Sequence, residues 1–407
     1  MWRATLTLLA GGALAQALPL LLGPWITRLY SPTEFGHFSL VWTVASNLAV
    51  VGCARYEFAL PLESSAPRAA TLAALCARIL LGLSLVSLLL GLAWSWWQDL
   101  ALAAWLGLAV LAGGLAQALT LWATRAQAFR ALALARVLQY GGGALLQVLL
   151  GLLAFGAVGL MLGPVLAALA AALWLAAMAR PEGGWAALLR CRDGDLREMA
   201  RSHRDFPLLN TPHAFASALQ DSLAMLALAH LAGDAAAGYW ALALRYLKAP
   251  AGLVGGALSQ TLYPRLVAAR DAAEAQALVR QAMLALAALA LPLMAVLMVW
   301  GPPLFAWAFG ERWADAGELA RALAPYVALH FIASPLAVTT LAWRAQAWAL
   351  RLALVGQLAF VAGLALGLQS GGLIGAAWGV SAAMLLYFGF YFWSLANWRH
   401  EHTRFAS

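Results

Sequence analysis

The chain has 407 residues, of which 64% are hydrophobic and only 10% charged, and its mean hydropathy is +0.80. Soluble domains carry about 25% charged residues, so the composition excludes a soluble enzyme, a nucleic-acid-binding protein and a secreted disulfide scaffold. The net charge of +8 comes from 24 Arg and one Lys, set mostly between apolar segments. That is the positive-inside pattern of a membrane protein rather than a nucleic-acid patch.

A helix needs about 20 apolar residues to cross a bilayer. Runs of this kind predict twelve spans, at 5–24, 37–60, 70–93, 101–122, 137–155, 159–179, 207–231, 237–260, 282–305, 319–341, 350–368 and 374–394. With the N-terminus inside, the inner connections collect most of the arginines, six of them between Arg180 and Arg204, while the outer loops hold Arg28, Arg312 and Arg321. Both termini are therefore expected on the cytoplasmic side. Met1–Ala15 imitates a signal peptide ending in Ala13-Leu14-Ala15, but the apolar run continues through Leu22 and the first helix is expected to stay. Cys53, Cys76 and Cys191 have no metal-ligand or Cys-x-x-Cys spacing and read as free thiols. The segment 180–205 mixes arginines with Asp193, Asp195, Glu198 and Asp205, as in an interfacial helix on anionic headgroups.

Two halves echo each other. Arg125-Ala-Gln-Ala-Phe129 follows span four and Arg344-Ala-Gln-Ala-Trp348 follows span ten. Gly156, Gly159 and Gly163 recur as Gly372, Gly375 and Gly379 at the openings of spans six and twelve. An even number of spans separates the repeats, so the expected fold is all-α and polytopic. It has about twelve transmembrane helices in two like-oriented six-helix bundles, residues 1–179 and 206–407, joined by a cytoplasmic Arg-rich linker at 180–205. The interface between bundles is the expected substrate path. The Gly-x-x-x-Gly spacings read first as close helix packing.

No Walker A sequence is present, since the single Lys248 follows Leu247, and neither a His-Glu-x-x-His nor a Gly-x-Ser-x-Gly motif occurs. The expectation is a protein that is not an enzyme, takes no cofactor and holds no metal, the His400-Glu401-His402 tail reading as solvated. Charges inside spans are the remaining signal, because each costs about 2.5–3.5 kcal/mol at a helix centre. The candidates are Arg55, Glu57, Arg78, Asp221, Arg245 and Lys248, with His230 and His330. Arg245 and Lys248 share a helix face, about 12 and 16 Å below the outer end of span eight. Glu57 points away from Arg55 if span two is a regular helix. Cationic groups in a cavity select an anion, and the arginine fork suits phosphate. Asp221 has two readings: an ion pair with Arg245 and Lys248, or a site for a coupling proton or sodium ion. Arg55 and Arg78 can alternatively snorkel to the inner face.

Ile26-Thr-Arg28-Leu-Tyr-Ser-Pro32-Thr-Glu-Phe-Gly36, Arg55-Tyr-Glu57-Phe-Ala-Leu-Pro61, and the stretch from Ala237-Gly-Tyr239 through Arg245 and Pro250 to Tyr263-Pro264 resemble the Wzx-type polysaccharide flippases. These belong to the superfamily of multidrug, oligosaccharidyl-lipid and polysaccharide exporters. The resemblance implies two six-helix bundles around a central cavity. It also implies movement of an undecaprenyl-pyrophosphate-linked oligosaccharide, an O-antigen or capsule repeat unit, from the inner to the outer leaflet of a bacterial inner membrane. By position it carries Arg28, Arg55 and Arg245 over as basic cavity residues; Lys248 is added from helical geometry. The implied partners are the lipid-linked oligosaccharide, the bilayer and a polysaccharide polymerase or export assembly, with no nucleic acid and a monomeric chain. The two additional C-terminal helices of the lipid II flippases have no counterpart here, which turns the expectation away from peptidoglycan. A cation-coupled drug exporter of the same superfamily and a membrane polysaccharide polymerase are the alternatives.

Overall fold

The computed structural model describes residues 2–398 except 182–183, 186–187, 189–190 and 344, so Arg344 and the His400-Glu401-His402 tail lie outside the described residues. Among the described residues there is no strand. The helices are α1 (Trp2–Leu29), α2 (Pro32–Val50), α3 (Ala66–Gln98), α4 (Leu106–Arg125), α5 (Phe129–Arg136), α6 (Gly143–Leu152), α7 (Gly156–Met178), α8 (Asp193–Ser202), α9 (Thr211–Ala232), α10 (Asp234–Ala268), α11 (Ala272–Phe309), α12 (Ala314–Ala342) and α13 (Gln346–Ala396). A π turn at Val137–Gly142 joins α5 to α6 in one rod, and α13 breaks at Gly371 and Gly372 into two arms. The described chain thus runs as twelve rods in the expected order, with α8 between the sixth and seventh. Seven of the described helices are long and apolar enough to cross a membrane, counting α13 once.

The chain divides into two compact units, Met1–Leu226 and Ala227–Ser407, and the division falls inside α9, past the Arg-rich linker. In the first unit α4 packs against α2, α3 and α7, while α1 lies on α5 and α6. In the second, α12 packs against α10, α11 and α13. The fourth rod of each half is therefore the inner one of its unit. Gly156 and Gly372 start the last rod of their halves with left-handed backbones, φ +57° and +58°. Behind them, a Cβ at Gly163 would press on the carbonyl of Gly143, and one at Gly379 on that of Gly363. In both units the glycines let the fifth and sixth rods touch backbone to backbone.

Local sequence explains the ends of the rods. Ser31 caps α2: its hydroxyl accepts from the Glu34 backbone N–H, and the Glu34 carboxylate accepts from the Ser31 N–H at 2.8 Å, with Pro32 in the first turn. The Tyr30 hydroxyl beside it donates to the Gln147 carbonyl at 2.7 Å. Burial and the Glu34 carboxylate push that hydroxyl up to about 12, so it keeps its proton. Asp271 caps α11 with its carboxylate, which accepts from the Glu274 N–H at 2.8 Å, and hydrogen bonds from the Arg270 backbone and side chain hold the Glu274 carboxyl below its ordinary range.

Two expectations differ from what is found. The apolar run 37–60 is not one helix: α2 ends at Val50, Ala54 and Arg55 turn with φ +49° and +65°, and Tyr56–Leu62 winds as a 3-10 helix. Hydropathy continues unbroken through this stretch while the backbone reverses twist. The linker does form a helix, but α8 buries Leu196 and Met199 within the protein. It is tied down by Arg78, which donates to the Asp193 carboxylate and the Cys191 carbonyl, and by the Tyr56 hydroxyl on the Ala200 carbonyl at 3.1 Å.

Candidate functional site

Arg28 is exposed on the last turn of α1. Arg55 lies beyond the far end of α2, whose 19 residues span about 28 Å at 1.5 Å each. The two arginines therefore stand at opposite ends of one helix and cannot grip the same phosphate in this structure. Arg55 itself is half-buried. Its guanidinium stacks 4.4 Å from the Phe58 ring centroid, its Nη1 reaches the Val50 carbonyl at 3.4 Å, and its Nε is buried with no acceptor.

Glu57, set aside on helical geometry, is 1% exposed. Its Oε1 accepts from Gln117 Nε2 of α4 at 2.8 Å, and its Oε2 is buried with no donor. The regular-helix assumption hid this residue, because a left-handed Arg55 followed by a 3-10 turn sets its direction. The available signal was Gln117, an amide in the middle of an apolar span, where a polar side chain must find a partner.

Beside this turn lies an apolar cavity of about 250 Å³, lined by Cys53, Cys76, Trp122, Trp185 and Leu188 among others. Trp122 donates to the Ala179 carbonyl at 2.6 Å and Trp185 to the Ala176 carbonyl at 2.8 Å, which fixes both indoles in the cavity wall. Arg125 stands over Trp122 and donates to the carbonyls of Glu63 and Ser64 at 2.8 and 3.2 Å.

In the second unit Arg245 and Lys248 sit three residues apart in α10, both half-buried. The Lys248 ammonium lies 5.6 Å from the centroid of the buried Tyr326 ring on α12. His330, one turn on, lies beside Tyr326 with the rings tilted and their centroids 5.9 Å apart. Two cations on one helix face, one of them set against an aromatic face, offer several N–H donors to an anion. Tyr326 was not singled out by sequence; an aromatic residue in an apolar span carries no mark of its neighbours. Asp221 and His230 are exposed on α9. Among the described residues no three His, Cys, Asp or Glu side chains gather in a way that could hold a metal ion.

A family described as polysaccharide biosynthesis protein matches residues 25–318. No curated protein matches the chain by sequence. Among solved structures it is similar to a multidrug resistance MATE family transporter of the MOP superfamily in an inward-facing conformation, with 16% identity, 94% of this chain and 96% of that one covered, and a TM-score of 0.67. It is also similar to the lipid II flippase MurJ in an inward closed conformation, with 11% identity, 98% and 90% coverage, and a TM-score of 0.69. A MOP superfamily transporter from Pyrococcus furiosus matches at 16% identity, 97% and 96% coverage, and a TM-score of 0.50. At these identities the likeness is one of fold, an all-α polytopic architecture.

Proposed function

Because the chain belongs to the polysaccharide biosynthesis protein family, we propose that it is a flippase moving an undecaprenyl-pyrophosphate-linked oligosaccharide from the inner to the outer leaflet. The oligosaccharide is an O-antigen or capsule repeat unit, and the site is exposed to each leaflet in turn. The observation that carries the reading is the pair Arg245 and Lys248, three residues apart within the 35-residue α10. A membrane helix keeps two cations one turn apart only where an anion or a partner stabilises them, and a diphosphate supplies matched acceptors. Arg28 and Arg55, about one helix length apart, would meet the diphosphate at different stages of passage rather than together. The protein works as a monomer in a bacterial inner membrane with both termini cytoplasmic. It needs no cofactor and hands its substrate to a polymerase or export assembly.

The test is flipping of labelled undecaprenyl-pyrophosphate oligosaccharide in proteoliposomes, read with an impermeant reagent for the outer leaflet. The wild type should expose the label. Arg245→Ala with Lys248→Ala should reduce exposure while the protein remains folded in the membrane. A hydrogen bond to a charged group contributes about 1.5–3 kcal/mol, so each lost contact weakens binding on the order of tenfold to a hundredfold. Drug–cation exchange in place of flipping would move the protein to the exporter branch of the superfamily.

A further inference from the structure

In the first unit α3 and α7 each pack along α4 but not along each other, which leaves a cleft between them with α4 as its floor. The apolar cavity of about 250 Å³ lies in this cleft and takes its lining from all three helices. We propose that it binds one acyl chain of an anionic phospholipid, drawn from the leaflet on the side of the chain between α7 and α8. On the topology proposed above, that leaflet is the inner one.

The lining decides against water. Its polar groups are two thiols and two indole N–H groups. The indoles are spent on the Ala179 and Ala176 carbonyls, and the Cys53 and Cys76 thiols form a hydrogen-bonded pair. A buried water needs about two to four polar partners, and an apolar cavity of even about 150 Å³ stays dry and takes a hydrocarbon instead. The shape favours a chain over a compact ring. The lining runs along α3 from Ala73 to Leu80 and along α4 from Leu115 to Trp122, about 10 Å in each case at 1.5 Å per residue. Space is left along it because Ala77 of α3, Ala118 of α4 and Ala176 of α7 end in methyl groups.

One edge of the cleft is open to lipid. Leu173 of α7 lines it, yet is 69% exposed. On α3, Leu81 and Leu85 are exposed just past the lining residue Leu80. Both helices are long and apolar enough to cross a membrane, so leucines exposed within them meet hydrocarbon tails. A chain can therefore enter sideways without crossing a polar surface.

The charges suit a headgroup. Each helix of the cleft has an arginine where the chain between α7 and α8 runs. Arg78 of α3 reaches the Cys191 carbonyl and the Asp193 carboxylate. Arg125 ends α4 over the Trp122 ring, and the exposed Arg180 follows α7. Of the nearby acids, Asp193 is engaged by Arg78, and Glu63 by Arg68 and His203. α8 sets Asp195 and Glu198 against Arg197 and Arg201, which leaves the balance cationic. A phosphate at this end of the cleft meets guanidinium groups that can donate paired hydrogen bonds. Arg245 and Lys248 belong to the other unit, so the lipid site stands whether or not the chain is a flippase.

The test uses the full chain in a steroidal detergent, whose fused rings cannot follow the cleft. It reads modification of Cys76 by a small uncharged thiol reagent, with Cys191, which does not line the cavity, as the internal standard. Dioleoyl phosphatidylglycerol at roughly ten times its dissociation constant leaves about one cleft in eleven empty. Cys76 should then react about tenfold more slowly, and phosphatidylcholine with the same chains should protect only at higher concentration. An unchanged Cys76 rate up to millimolar phosphatidylglycerol overturns the site. Equal protection by the two lipids overturns the part given to the arginines. Protection by undecaprenyl phosphate and none by phosphatidylglycerol overturns the bilayer lipid as occupant and gives the cleft to an isoprenoid tail. Ala118→Leu fills the cleft, so it should slow Cys76 without lipid and abolish the phosphatidylglycerol effect. A lipid effect that persists in the folded variant overturns the placement, and the wild-type series decides the rest whether or not that variant folds.

Discussion

Lys248 and Tyr326 belong to neighbouring helices of the second unit, and the ammonium of the first lies over the ring of the second at 5.6 Å. The contact gives a flexible four-carbon side chain a preferred place within an apolar unit, and it does so without neutralising the charge.

Such a contact is worth about 0.5–2 kcal/mol, depending on how dry it is. Tyr326→Phe, which keeps the ring face, should therefore transport nearly as the wild type does. Tyr326→Leu should raise the substrate concentration for half-maximal flipping by roughly twofold to thirtyfold. Concentration series in proteoliposomes check both.

The glycine seams make a stability prediction with a built-in control. A Cβ at Gly379 would fall on the backbone of Gly363, whereas nothing lies within 4 Å of one at Gly82 in α3. Gly379→Ala should destabilise by about 1–3 kcal/mol. Gly82→Ala should stabilise by about 0.4–1 kcal/mol through the unfolded chain. Thermal unfolding in detergent separates them by sign.

Thiol labelling reads both topology and the cavity wall. Cys191 is half-exposed, while Cys53 and Cys76 are buried. An impermeant maleimide should reach Cys191 from the cytoplasmic face and leave the other two unmodified in the folded protein. Trp185→Ala removes the bond to the Ala176 carbonyl and one end of the cavity wall. A small permeant thiol reagent should then modify Cys76 faster, with Cys191 as the internal standard.

Arg125 tests whether its charge or its fork matters. It spans two carbonyls and lies on the Trp122 ring, a geometry an ammonium cannot copy. Arg125→Lys keeps the charge and should lower stability by about 1.5–3 kcal/mol, seen as a reduced melting temperature.

The order of the rods was legible because a bilayer imposes a minimum apolar length, and the repeat was legible because Gly156 and Gly372 both take a positive φ that favours glycine. The site was less so. Hydropathy counts side chains and is blind to backbone sign, so the break at Ala54 and Arg55 vanished inside an apolar run and carried Glu57 to the wrong face. The pairing of Glu57 with Gln117, and of Lys248 with Tyr326, joins residues 60 and 78 positions apart. No local spacing rule reaches that far. Ser31-Pro32-Thr33-Glu34 could have been read: it is a capping box in a stretch chosen only for its resemblance.

The π turn at Val137–Gly142 bears on how the chain tolerates insertion and deletion. Such a turn houses one residue more than an α-helix would use over the same rise. Deleting a single residue there returns α5 and α6 to an unbroken helix, with Arg136 and Gln147 still facing their present neighbours. The same deletion elsewhere in the rod would swing everything beyond it by about 100°. Between Val137 and Gly142, then, relatives can differ by one residue in the middle of a membrane helix without repacking it, and an alignment gap placed there is physically sensible.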